Sequence, residues 1–297
     1  MVLATLAGCA TGPRLATPGA MDVAERRYLE DVPFHAQREY QCGPAALAMA
    51  LNASGVNVSP DALVSQVFLP GRQGSVQPEM LAAARRHNRL SFVLDGEFES
   101  LLRELNAGNP VIVLQNLSLG LWPMWHYAVA VGYDLDTKRL LLHSGEEANR
   151  SISFRRFDAT WARSDRWAMV ALPPGELPAA IEPDRAMDAI LAFEQANSAE
   201  AALPAWRAMM QRWPRVAMGW FALGNAEHAA GNPREAASAF SQATDEDREL
   251  AAAWLNLGLV LEELEEYDEA RHALEQAASL PSRWRDKAEE ALTRLDK

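Results

Sequence analysis

Val32–Gly55 reads VPFHAQREYQCGPAALAMALNASG, and the part that follows Cys42 is written as a helix. Ala45, Ala46, Ala48, Met49, Ala50 and Leu51 form an apolar run of helix-favouring residues. Pro44 falls in a first helical turn, where its missing N–H leaves no bond unmade, and Gly55 is a stop signal. Cys42 is therefore expected at or just before a helix N-terminus. Aligned peptide dipoles and free N–H groups there favour the thiolate and are expected to lower its pKa. Gly43 is expected to leave room for a substrate backbone. This is the setting a cysteine nucleophile needs, whereas a lone cysteine without it is ordinarily a small buried apolar residue.

A nucleophile also needs a base and an oxyanion donor. Gln37, five residues before Cys42, offers a side-chain amide to a developing oxyanion. Gln41 is its rival, adjacent in sequence, with a side chain expected to point elsewhere. The base is expected to be His126, in PMWHYAVAVGYD. Val111–Leu114 and Tyr127–Tyr133 are continuous apolar runs, consistent with buried strands; Asp134–Lys138 reads as a turn and Arg139–His143 as the partner strand. His126 then stands at the start of a central strand. With a loop of 134–136, 134–137 or 134–138, the residue opposite His126 is Ser144, Gly145 or Glu146. A group that orients the imidazole is expected from this stretch. His143 and Ser144 are candidates, and Glu146 is the one acid among the direct partners.

Trp122, Pro123, Met124 and Trp125 crowd the start of that strand. Core packing is the simpler account, and an apolar wall of a substrate cleft that includes Trp125 is the alternative. Asn116 and Ser118, in the same loop, are candidates to bind substrate backbone. Val56–Pro70 and Gln77–Asn88 read as two further helices, with Ser59 as N-cap ahead of Pro60. Ser151–Phe157 and Trp167–Leu172 read as the last strands. No Cys/His spacing matches a zinc site and no Gly-rich phosphate loop is present, so neither metal nor cofactor is expected. His35, His87, His143, His228 and His272 have no setting comparable to that of His126.

Gln37, Cys42-Gly43-Pro44 and His126-Tyr127-Ala128-Val129 resemble the bacteriocin-processing cysteine peptidases, papain-like domains that cut leader peptides after a double glycine. The resemblance covers about Val32 to Pro173. It implies an α+β papain-like fold with helices on one side and an antiparallel sheet on the other. It also implies Cys42 as nucleophile, His126 as general base and Gln37 as oxyanion donor. Two departures stand out. The family's Gln usually sits one residue further from the cysteine. The family's third member is an Asp on the strand after the histidine, where this chain reads LLLHSGEE; Ser144, His143 or a backbone carbonyl would have to orient His126 instead.

Further along, Trp220-Phe-Ala-Leu-Gly224 and Trp254-Leu-Asn-Leu-Gly258 are 34 residues apart, and Ala236, Phe240 and Ala243 recur at that offset as Ala270, Leu274 and Ala277. This resembles the tetratricopeptide repeat. Gly224 and Gly258 let two helices approach and the larger residues fill the groove between them. Phe193, Ala202, Trp206 and Pro214 fit a degenerate repeat one period upstream, and Arg283–Leu295 a terminal helix. An all-α repeat solenoid is expected, with a concave face that docks an extended peptide or a partner helix. The acid runs Asp245–Asp247 and Glu262–Glu266 are expected to be solvated turns and faces, with preference for a basic partner as the alternative.

Composition frames these readings. The chain has 297 residues, 49% hydrophobic and 23% charged, an ordinary globular mixture long enough for two domains. Its net charge of −12, concentrated after Glu176, argues against nucleic-acid binding. No apolar run is long enough for a membrane-spanning helix. The opening MVLATLAGCA resembles a bacterial lipobox, which implies acylation of Cys9, a membrane anchor and, with Ala10 next, an outer-membrane location facing the periplasm. The alternative is a frayed apolar N-terminus. Cys9 and Cys42 are the two cysteines; they either pair, or lipidation of Cys9 leaves Cys42 alone. The expected organisation is a signal remnant and flexible tether over 1–20, a peptidase domain over 21–175 and repeats over 176–297. Three functions are compatible: an exported cysteine peptidase with a docking domain, an inactive peptide-binding and assembly module, and an enzyme passing an acyl group to an amine.

Overall fold

The structure, a computed structural model, describes residues 12–13, 15–37, 41–72, 74–118 and 122–296. It divides into two compact units. One runs to Pro173 and takes in Pro178–Ile181; the other comprises Pro174–Leu177 and the residues from Glu182 onward.

The first unit is built from α1 (Pro18–Met21), β1 (Arg26–Tyr28), α2 (Cys42–Ala53), α3 (Pro60–Val67), β2 (Phe68–Leu69), β3 (Gly74–Ser75), α4 (Gln77–Arg86), β4 (Leu90–Val93), α5 (Phe98–Ala107), β5 (Val111–Asn116), β6 (Trp125–Asp134), β7 (Arg139–Ser144), β8 (Glu147–Ser153), α6 (Phe154–Trp161) and β9 (Ala168–Leu172). An antiparallel sheet runs in the order β4-β9-β5-β6-β7-β8, with β1 paired to the far end of β6. β6 is its longest strand. It pairs with β5 from Asn116–Trp125 to Val111–Ala130, and β1 takes over along that edge at Gly132. A Cβ on Gly132 would lie 2.6 Å from the Arg27 carbonyl oxygen, so only glycine lets β1 approach.

α2 is buried from Gly43 to Leu51, as a helix of alanine, leucine and methionine must be to remain in water. It packs on β5, β6 and β9 beneath α3 and α4. All six residues of β5 are buried, so both faces of the sheet are covered there. α5 buries Phe98, Leu101, Leu102 and Leu105, one helical stripe, and Phe98 meets Phe154, Phe157 and Trp161 of α6 with ring centroids 4.9, 5.9 and 6.3 Å apart.

Several sequence expectations need correction. The strand expected over 151–157 ends at Ser153, whose Oγ accepts from Arg156 N at 3.4 Å and so starts α6. The 3- and 4-residue spacing of Phe154, Phe157 and Trp161 is helical and overrides the β-rich composition. The helix expected over 56–70 occupies only Pro60–Val67, capped by Ser59 as expected; Phe68–Leu69 pairs with Gly74–Ser75 instead. Of the supposed tether, the described part ends in α1 and Ala16 N donates to Glu99 Oε1 at 2.8 Å, which ties it to α5.

Among the described residues the second unit holds seven helices, α7 (Pro183–Ala196), α8 (Ala199–Arg212), α9 (Ala217–Ala229), α10 (Pro233–Glu246), α11 (Ala251–Glu263), α12 (Tyr267–Ser279) and α13 (Arg285–Leu295), each packed on the next. A Cβ on Gly224 would lie 2.6 Å from the Phe240 ring, and one on Gly258 2.6 Å from Leu274 Cγ. Trp220 Nε1 donates to Pro214 O at 2.8 Å and Trp254 Nε1 to Arg248 O at 2.9 Å, the same bond one repeat apart. Phe193, Ala202 and Trp206 are fully buried between α7 and α8, so the degenerate upstream period is also a helix pair. No described helix is long and apolar enough to cross a membrane.

Candidate active site

The site forms where two strands part. β6 and β7 pair from Asp134–Arg139, across a register shift between Ala130 and Gly132, to Val129–His143, and there the ladder stops. The Tyr127 N–H and C=O face that gap, because one residue's two backbone groups point to the same edge of a strand. Gln37 fills it. Its Nε2 donates to Tyr127 O at 3.0 Å, its Oε1 accepts from Gly145 N at 2.9 Å, and its own N–H donates to Gly145 O at 2.9 Å. A buried amide thus replaces a missing rung of the sheet.

Cys42, a half-buried free thiol, is the first residue of α2. Its sulfur faces the backbone N–H groups of Tyr127, Gly43 and Cys42 itself. All three favour the thiolate, yet burial outweighs them and pushes the thiol up from its ordinary value. The expectation of a lowered pKa is corrected accordingly: withdrawal from water costs a sulfur anion more than the helix end returns.

His126, the second residue of β6, precedes the residue whose N–H faces the sulfur. Its Nε2 lies 2.9 Å from Ser144 Oγ, so Ser144 holds the imidazole. Burial, followed by the nearby positive charge of Arg150, pushes His126 down to about 4. At neutral pH the free site therefore contains a thiol and a neutral imidazole. His143, the other candidate for the orienting role, is buried elsewhere: Nε2 meets Val32 O at 3.2 Å and Nδ1 accepts from Asn149 N at 3.2 Å. The loop between β6 and β7 is 135–138, none of the three expected, and the ladder stops at Val129–His143, so Ser144 meets His126 beyond the last paired rung and not as its cross-strand partner.

The remaining candidates are divided. The open side of Gly43 is filled by Ser75, whose Cβ would be 2.5 Å from an added Cβ, so the glycine serves the packing of β3 and not a substrate. Asn116 is buried and its Oδ1 accepts from Ser118 N and Met124 N, both at 3.0 Å, so its oxygen shapes the loop to β6. Trp122, Met124 and Trp125 are 82%, 60% and 53% exposed, which overturns the core-packing account and leaves an apolar surface beside His126. Gln41 occupies the N-cap of α2 without a side-chain capping bond. Cys9 lies outside the described residues. Elsewhere, His35 meets Asn52 at 2.7 Å and His87 meets Gln66 at 3.2 Å.

Two contributors to the site have no local signature in the sequence. The Tyr127 backbone has no signature, since any residue supplies an N–H and a C=O. Arg150, in the polar strand β8, becomes relevant only because that strand folds back beside Ser144.

The chain is similar to two known families. Residues 29–169 match the Peptidase C39-like family, and residues 221–283 match a tetratricopeptide repeat family. Similar solved structures include a protein described as a C39-like peptidase from Bacillus anthracis, at 16% identity over 50% of this chain and 98% of that one, with a TM-score of 0.43. Others are the TPR2B domain of yeast Sti1 in its pHsp70 complex (16% identity, 38% and 95% of the two chains, TM-score 0.36) and the Yersinia enterocolitica type III secretion translocator chaperone SycD (17%, 39% and 87%, 0.37). No match was found among curated proteins. Residues 29–169 are a Peptidase C39-like domain, and tetratricopeptide repeats follow it in the same chain.

Proposed function

We propose that this chain is an exported, lipid-anchored cysteine peptidase whose repeats dock its substrate or a partner protein. The observation that carries the proposal is the place of Tyr127: its N–H faces the Cys42 sulfur, its carbonyl oxygen accepts from the Gln37 amide, and it is next in sequence to His126, whose ring Ser144 holds. With Nε2 engaged by Ser144, Nδ1 of His126 is the nitrogen free to act as base. It takes the thiol proton as sulfur attacks the scissile carbonyl carbon. The oxyanion is met by the Cys42 backbone N–H and the second N–H of Gln37 Nε2, which has no other partner among the described residues. Collapse breaks the C–N bond, and the imidazolium gives its proton to the leaving amine. Water, deprotonated by His126, then hydrolyses the thioester and restores the thiol.

Anchoring through acylated Cys9, with residence in the bacterial outer membrane facing the periplasm, is part of this proposal and rests on the lipobox-like start. The substrate is a peptide or protein, and docking through the repeats follows from what that architecture ordinarily binds. Cys42→Ala and His126→Ala should each abolish cleavage of an exported peptide and labelling by a peptide electrophile while leaving circular dichroism unchanged. Wild-type activity in the double variant refutes the reading.

A second reading, an inactive peptide-binding and assembly module, is favoured by the raised thiol, the lowered imidazole and the serine that stands at His126 Nε2 in place of an acid. Under it, Cys42 reacts with a peptide electrophile no faster than free cysteine. Transfer of the acyl group to an amine instead of water would appear as an amide product.

A further inference from the structure

We infer that Arg150 is the specificity residue of this site and that it takes a carboxylate on the leaving-group side of a bound peptide. The inference rests on the Cys42–His126 reading for where the peptide lies, but not on catalytic activity. A series of contacts places Arg150. Ser144 Oγ lies 2.9 Å from His126 Nε2. Across the β7–β8 ladder Ser144 is opposite Glu147, and Leu142 is opposite Arg150. Arg150 Nε reaches back along β8 to 3.7 Å from Glu147 Oε2, so the guanidinium projects toward the Ser144 end of the strand pair, on the side of Ser144 away from the bulk of the sheet.

That ion pair is weak. At 3.7 Å it is longer than a charge-assisted hydrogen bond, and both side chains are well exposed. Arg26, Arg166 and Arg294 hold carboxylates at 3.0, 3.0 and 2.6 Å. Arg150 therefore keeps a guanidinium fork open to an incoming acid. Its charge also reaches His126, where it opposes formation of the imidazolium. A cation beside a general base is a handicap until an anion covers it. The imidazole hands its proton to the leaving amine, so groups beyond it meet the leaving segment. A carboxylate there pairs bidentately with Arg150 and removes the charge that disfavours protonated His126. The acid comes either from a free C-terminus of a short leaving segment or from an Asp or Glu side chain; a bound peptide distinguishes the two.

The test uses the full chain carrying Cys42→Ala, so that binding is read without cleavage. Three fluorescein-labelled pools of random hexapeptides are titrated by anisotropy: one ending in a free carboxylate, the same pool amidated, and an amidated pool with one fixed Glu. The free-acid pool or the Glu pool should bind about fivefold more tightly than the amidated pool. Arg150→Gln should erase that ratio, and Glu147→Gln, which removes the competing acid, should increase it. Equal binding of the three pools, no binding by any of them, or a ratio that survives Arg150→Gln overturns the inference. Cleavage by the Cys42-intact chain is scored separately, so a failed peptidase assignment and a failed carboxylate site give different results.

Discussion

Ser144→Asp is the most informative single change. Ser144 Oγ stands 2.9 Å from His126 Nε2, and a carboxylate built there places its charge about 4 Å from that of a protonated imidazole. At an effective dielectric constant of about 20, the attraction is about 4 kcal/mol, or about 3 pKa units. Starting from about 4, the imidazole of His126 should then titrate near neutrality. The consequence extends to the nucleophile. An imidazolium that forms readily beside Cys42 favours the thiolate, which burial now disfavours. The assay has two readouts: the NMR titration of the His126 ring, and the pH dependence of Cys42 alkylation by iodoacetamide. The variant should show an upward-shifted imidazole and alkylation about tenfold faster at pH 7. An imidazole still titrating near 4, or alkylation no faster than in the unaltered chain, would refute the account of why the free site is neutral.

Other changes test the rest of the structure. Gln37→Ala leaves Tyr127 O and Gly145 N buried without their partner and should cost about 2–4 kcal/mol in urea unfolding, with loss of any activity. The folded His126 pKa of about 4 lies below its unfolded value of about 6.5, so the unfolded chain binds the extra proton between them. The contribution of His126 to stability is thus fully present above about pH 6.5 and lost as pH falls toward 4, by about 3 kcal/mol in all. A His126→Gln variant compared with the unaltered chain should isolate that slope; parallel stability curves would contradict it. In the repeat unit, Gly224→Ala drives a methyl into the Phe240 ring and should lower stability by about 1–3 kcal/mol, read as a fall in denaturant midpoint.

Much of the site was legible because it depends on local chemistry. Cys42 heads a helix because the alanine-rich run after it can do little else, and His126 opens a strand because the apolar run from Tyr127 is bounded by a turn. Hairpin arithmetic reaches Ser144 only through a loop of 134–136; the observed loop is 135–138 and the ladder ends at Val129–His143, so the bond from Ser144 to His126 is decided by tertiary structure. The misreadings share a different origin. Ser153–Phe157 has the composition of a strand, but the aromatic cluster with Phe98 rewards a helix. Sequence alone leaves the space beside Gly43 open because its neighbour Ser75 comes from a distant hairpin. The oxygen of Asn116 is used by two amides of its own loop, a local bond that the residue type alone does not announce.

The repeat period, the helix behind Cys42 and the residue types able to perform thiol chemistry follow from short-range patterns, because propensity and periodicity act within a few turns of chain. Protonation states, the rung supplied by Gln37 and the position of Arg150 do not. They depend on how far α2 is withdrawn from water and on where the β6–β7 ladder opens, and both are settled by packing between segments dozens of residues apart. Desolvation and cross-strand register are properties of the assembled sheet, so the same cysteine and histidine have their charge decided by neighbours that no local pattern names.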